Sequence, residues 1–89
     1  MATCKRVHYW GRVQNVGFRA TTKWVADHHT VTGYVRNLPD GQVEVVVAGE
    51  AAEVERFLAA VAERMASKIH GHRIEDEPEQ TFTCFEIRI

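Results

Sequence analysis

Apolar and polar positions alternate from Cys4 to Trp10, with Val7 and Tyr9 set against Arg6, His8 and Trp10, and this period of two predicts a first strand. Gly11 closes it. The segment Gly11-Arg12-Val13-Gln14-Asn15-Val16-Gly17 holds two glycines and an Asn tolerant of positive φ, the composition of a shaped loop. Phe18, Thr22, Val25 and His29 then share a helical stripe, with Trp24 beside it, so a helix is predicted over 18–29. Alternation returns over 31–36 and 42–48, where Val43, Val45 and Val47 oppose Gln42, Glu44 and Val46. Between these two strands lies Asn37-Leu38-Pro39-Asp40-Gly41, a hairpin turn in which Pro39 presets φ and Gly41 supplies the left-handed conformation. Val54, Phe57, Leu58, Val61 and Met65 recur at helical spacing and predict a second helix over 50–66. An exposed, polar strand over 68–77, a loop around Pro78 and a final strand over 81–89 complete the chain, the last with Phe85, Ile87 and Ile89 against Glu86 and Arg88.

The order is βαββαβ with one extra short strand. Two amphipathic helices and strands alternating on one face predict a ferredoxin-like α+β fold, a two-layer sandwich with both helices on one side of a mainly antiparallel sheet of four to five strands. Eighty-nine residues exclude a second folded domain, so residues 1–89 are read as one unit. At 45% hydrophobic and 26% charged the chain is too apolar for disorder, and no stretch approaches the roughly 18 uncharged apolar residues of a spanning helix. The formal net charge of -1 provides no global field to gather nucleic acid or anionic lipid, so any anion must be recognised locally. Cys4 and Cys84 are too few for a disulfide framework, and the N-terminus lacks the apolar core of a secretory signal. Reduced thiols and a cytoplasmic location are the expectation.

In a split βαβ unit the first two strands run parallel with the third between them, so their carboxyl ends emerge on one edge of the sheet. This sets the 11–18 loop beside Asn37, about two strand spacings or 10 Å away. Small residues there let backbone N–H groups converge, the following helix presents unpaired N–H groups and its positive dipole end, and Arg19 adds a planar guanidinium suited to phosphate. Glycine spacing alone favours the plainer reading, a chain that merely turns with Arg19 solvated on the helix.

Longer motifs decide the matter. Gly11-Arg12-Val13-Gln14-Asn15-Val16-Gly17-Phe18-Arg19, Gly33-Tyr34-Val35-Arg36-Asn37 and Asp40-Gly41-Gln42-Val43-Glu44-Val45 resemble the two signatures of the acylphosphatase family, G-x-V-Q-G-V-x-[FY]-R and G-[FYW]-[AV]-x-N-x-x-x-G-x-V-E. The resemblance implies hydrolysis of small acyl phosphates to a carboxylate and inorganic phosphate. It implies Arg19 as the phosphoryl-binding residue and Asn37 as the residue that positions the attacking water, with the 12–18 loop amides, including Gln14, Asn15, Val16, Gly17 and Phe18, forming the phosphate cradle beside Arg19. No metal, cofactor, nucleic acid or membrane is expected, and the protein is expected to be a monomer. The chemistry is consistent with these residue types: phosphoryl transfer asks mainly for positioning and for donors on the equatorial oxygens, and a carboxylate with a conjugate acid of pKa near 4 leaves without a strong general acid. A carboxamide is no base at neutral pH, yet it both accepts from and donates to a water.

Two positions depart from the family pattern. Asn15 stands where a Gly is usual, the least costly replacement if positive φ is needed there, and Thr30 replaces the usual glycine after the first helix. Five histidines, among them His28-His29 and His70 with His72, invite a metal reading, against which stands the lack of recognisable ligand spacing. Trp10 and Trp24 are expected in the core or at its rim, and Arg12, Lys23 and Arg36 in solvent. An RNA-binding module would need stacked aromatics on the central strands, and Val43-Glu44-Val45-Val46-Val47 offers none. The remaining alternative is a noncatalytic phosphate- or carbamoyl-phosphate-binding domain of the kind found within larger maturation proteins; a chain ending at Ile89 favours a free-standing enzyme.

Overall fold

Seven elements follow one another in the computed structural model, which describes residues 2–89: β1 (Ala2–Gly11), α1 (Phe18–Ala26), β2 (Val31–Asn37), β3 (Val43–Glu50), α2 (Ala51–Arg64), β4 (Ile69–Asp76) and β5 (Phe85–Arg88). They form one sheet in the order β4-β1-β3-β2-β5, antiparallel throughout except where β5 runs parallel to β2. β1 and β2 are therefore parallel and separated by β3, the ferredoxin-like arrangement expected from the element order.

Side-chain alternation sorts this sheet into two unlike faces. Val7 and Tyr9 of β1, Val35 of β2, Val43, Val45 and Val47 of β3 and Phe85 of β5 point to the helix side, where they pack with Phe18 and Val25 of α1 and Val54, Phe57 and Val61 of α2. The fully buried β-branched residues explain why the strands hold: Val fits a pleated, covered surface and has one favoured χ1. Continuing the alternation of β2 past Val35 brings Asn37 to the helix side as well, one step beyond the packed core.

The other face is not the simple solvated surface that alternation predicts. Cys4, Tyr34, Val46 and Ala48 form a small second cluster with Phe82 lying against it. Beside it Glu44 is only 2% exposed. Its carboxylate accepts from Arg36 Nε at 2.8 Å and the Tyr34 hydroxyl at 3.1 Å, and its second oxygen lies 2.9 Å from His8 Nε2 and 3.6 Å from Arg6. Arg36, expected in solvent, is thus engaged in an ion pair. Burial by itself would push the Glu44 carboxyl up, but the hydrogen bonds from His8, Arg36 and Tyr34 hold it below its ordinary value.

Element ends differ from the sequence expectation for local reasons. α1 stops at Ala26, not His29, because the amides of His28 and His29 turn back to the carbonyls of Val25 and Ala26 in a tighter turn. The amide of Thr30 donates to the Glu53 carboxylate at 2.8 Å, which ties this turn to α2. The last strand begins at Phe85 rather than residue 81, since its pairing is to β2 alone and starts opposite Gly33. Among the described residues no helix is long and apolar enough to cross a membrane.

Candidate active site

The pairing of β1 with β4 shifts register between Trp10 and Gly11, leaving His70 of β4 without a partner, and β1 ends at Gly11 in the loop before α1. Within that loop Asn15 holds φ 60° and Gly17 φ 80°, both left-handed. Asn tolerates that region better than other side chains, which accounts for its fit at the one position where the motif departs from glycine. Gly17 then caps α1 with no side-chain hydrogen bond, and α1 carries no acidic residue in its first turn. The first intrahelical bond runs from the Thr21 amide to the Gly17 carbonyl at 2.9 Å. Among the described residues, the backbone N–H groups from Val13 through Ala20 donate to no backbone carbonyl, whereas that of Arg12 is taken by Lys68 at 2.9 Å. Unpaired donors in a loop and at the helix N-terminus that follows it favour negative charge nearby.

Six of these eight residues border a cavity of about 220 Å³. Its walls are Val13, Asn15, Gly17, Phe18, Arg19 and Ala20 from the loop and α1, closed by Asn37 from the end of β2 and Ile87 from β5. Val13 and Phe18 are buried and anchor the loop in the core, with the Phe18 ring 5.1 Å from that of Tyr9. Tyr9 and Asn37 are both register partners of Val43, so the last residues of β1 and β2 that pair with β3 lie level across it. Arg19 makes no ion pair with a carboxylate among the described residues. Asn37 Oδ1 is buried and has no hydrogen-bond partner in the protein, an unmet acceptor that native structures rarely leave without a ligand or water.

Arg19 and Asn37, the two residues singled out from the sequence, thus face one cavity with Asn15, Gly17 and Phe18. The side chains of the other two loop residues are engaged elsewhere. Val16 packs against the core, and the Gln14 carboxamide donates to the carbonyls of Leu38 and Gln42, each at 2.8 Å. Ile87 and Ala20 also line the cavity and were not among the residues singled out. Alternation with Phe85 had put Ile87 on an apolar face, but the parallel pairing that sets it opposite Val35, two residues before Asn37, has no local signal.

Outside the cavity the histidines disperse. His8 pairs with Glu44, His28 stacks on Trp24, His29 faces Glu53 and His72 lies against Tyr9. No three His, Cys, Asp or Glu residues among those described are grouped to hold a metal ion. Both cysteines are free, Cys4 buried and Cys84 exposed, and burial pushes the Cys4 thiol above its ordinary value.

Comparison with known proteins places this geometry in context. Residues 5–87 match the family model described as Acylphosphatase. A curated acylphosphatase of Synechococcus sp. is 45% identical over 86 residues, covering 93% of this chain and 92% of the relative. The crystal structure of acylphosphatase from Bacillus subtilis superposes with a TM-score of 0.86 at 27% identity, covering 100% of both chains. T.kodakarensis HypF contains a similar unit, with a TM-score of 0.83 at 30% identity over 100% of this chain but 12% of that one.

Proposed function

The chain belongs to the acylphosphatase family and is a hydrolase acting on acyl phosphates, and from that premise we propose that Arg19 and Asn37 carry the reaction in the cavity at the start of α1. The phosphoryl group sits on the free amides of the loop and first helical turn, with the Arg19 guanidinium on its remaining oxygens. Developing negative charge on those oxygens is met by donors already in place, which is where electrostatic stabilisation acts most strongly. Gln14 contributes its place in the loop and the clamp on the Leu38 and Gln42 carbonyls, while Asn15 and Gly17 give the curvature that turns the amides inward.

Asn37 holds the attacking water. Its unpartnered Oδ1 accepts from that water, orienting a lone pair toward phosphorus opposite the scissile bond. The water oxygen forms a new bond to phosphorus, the bond between phosphorus and the acyl oxygen breaks, and its electron pair leaves on a carboxylate. The proton shed by the water passes to a phosphoryl oxygen or to solvent. No side chain has to act as nucleophile or general acid for a leaving group this stable.

The observation that carries the proposal is the convergence of Arg19 and Asn37, from elements distant in sequence, on one cavity rimmed by free amides. Hydrolysis of benzoyl phosphate in water labelled with heavy oxygen tests it. The label is expected in inorganic phosphate, and added phosphate is expected to compete with substrate. Label in the benzoate would mean attack at carbon and would overturn the assigned geometry.

A further inference from the structure

A second cavity of about 280 Å³ adjoins the first and shares Ala20 with it. Its other walls are Thr21 and Trp24 of α1 and Arg64 from the last turn of α2. Ala20 and Trp24 stand four residues apart, hence on one helix face. The Arg64 guanidinium lies 4.1 Å from the centroid of the Trp24 ring, the His28 ring packs against the same indole at 4.1 Å, and Trp24 remains 48% exposed. Stacking of this kind fixes the plane of a guanidinium while leaving its N–H fork available. Among the described residues no carboxylate pairs with it. An oriented cation on an exposed aromatic ledge, opening beside the phosphoryl site, is the arrangement expected of a subsite for an apolar group that ends in an anion.

We infer that this cavity receives the acyl portion of the substrate and favours aromatic acyl phosphates bearing a carboxylate remote from the phosphoryl group. The inference rests on the phosphoryl site at Arg19 proposed above. From Arg19 the acyl group passes over Ala20, its ring meets the exposed edge of Trp24 and its distal carboxylate meets Arg64. Arg19 and Trp24 are five helical steps apart, about 7.5 Å at 1.5 Å per residue, a span matched by a para-substituted benzoyl group. A short acyl chain stops at Ala20 and gains nothing from the ledge.

The test is the ratio of kcat/KM for para-carboxybenzoyl phosphate to that for benzoyl phosphate, a ratio independent of the amount of folded enzyme. It is measured in the parent, Arg64→Gln, Arg64→Glu and the control Arg56→Gln, an exposed α2 residue that pairs with Glu53. The ratio is expected to fall about three- to tenfold in Arg64→Gln, the range for one partly exposed charged contact, and further in Arg64→Glu. It is expected to hold in Arg56→Gln. A ratio unmoved by either Arg64 substitution, or lowered equally by Arg56→Gln, overturns the acyl subsite and leaves the phosphoryl site standing. A parent that hydrolyses neither substrate overturns the phosphoryl site, and the subsite falls with it.

Discussion

Gln14 is bonded to Leu38: its carboxamide donates at 2.8 Å to that carbonyl, and equally to the carbonyl of Gln42, so the loop proposed to hold the phosphoryl group is fastened to the turn that follows Asn37. The loop and the turn are far apart in sequence and meet nowhere else through side-chain hydrogen bonds among the described residues. Removing both donors in Gln14→Ala is expected to lower kcat/KM about ten- to a hundredfold, at roughly one kcal/mol per hydrogen bond, with little change in far-UV circular dichroism. Gln14→Glu, which keeps the size but loses the donors, should behave no better. Steady-state kinetics on benzoyl phosphate beside a thermal melt checks both.

Arg19 and Asn37 should fail differently when replaced. Arg19→Ala is expected to weaken competitive inhibition by phosphate and reduce turnover by about a hundred- to a thousandfold. Asn37→Ala should lose turnover on a similar scale yet leave the inhibition constant for phosphate within about threefold, since the carboxamide is assigned to the water and not to the anion. An Asn37 variant that hydrolyses benzoyl phosphate at the parent rate would remove the water-positioning role.

Asn15 occupies left-handed space without being glycine. In Asn15→Gly that strain is relieved while the unfolded chain gains freedom, so the two effects oppose and stability should move by less than about 1 kcal/mol. Activity is expected to be kept or raised, because the amide direction is unchanged and a side chain is removed from the cavity wall. A large loss of kcat would give the Asn15 side chain a role of its own.

Glu44 makes stability depend on pH in a definite direction. Its folded carboxyl is held below the ordinary glutamate value, so the native state binds this proton more weakly than the unfolded chain does. The contribution is therefore complete above the ordinary value and is lost as acidification carries the pH down through the folded one. Denaturant melts should show the parent losing stability below about pH 4.5, the ordinary value for this group, more steeply than Glu44→Gln. At neutral pH the same substitution is expected to cost about 1–3 kcal/mol, because His8, Arg36 and Arg6 are left around a neutral amide.

Much of this was legible in the chain itself. Period-two runs and the Val54, Phe57, Val61 stripe identified the elements and the covered face of the sheet, and the Pro39-Asp40-Gly41 turn joined the right pair of strands. That Arg19 and Asn37 line one cavity followed from motif residues plus the parallel relation of β1 and β2. The fate of Gln14 was hidden because its acceptors are backbone carbonyls, which every sequence has. Glu44 looked like an outward-facing polar residue, since alternation reports only which side of a strand a residue takes and not what covers that side. Ile87 and Arg64 were hidden for a third reason: the parallel docking of β5 and the approach of α2 to Trp24 are tertiary facts with no local periodicity.

Val43 sits between Tyr9 and Asn37 and works as a ruler for the reaction. On the proposed assignment the separation between the anion and the water is thereby a property of backbone ladders, set before any ligand arrives. A slip of one residue in the pairing of β2 with β3 would carry the carboxamide through to the opposite side of the sheet, among Glu44 and its cations. Lesions far from the cavity can therefore silence it: a methyl group added at Gly33 would meet the Val46 carbonyl oxygen at 1.9 Å and force these same two strands apart. Alignment in this molecule is inherited from weaving, and whatever protects the weave protects the chemistry.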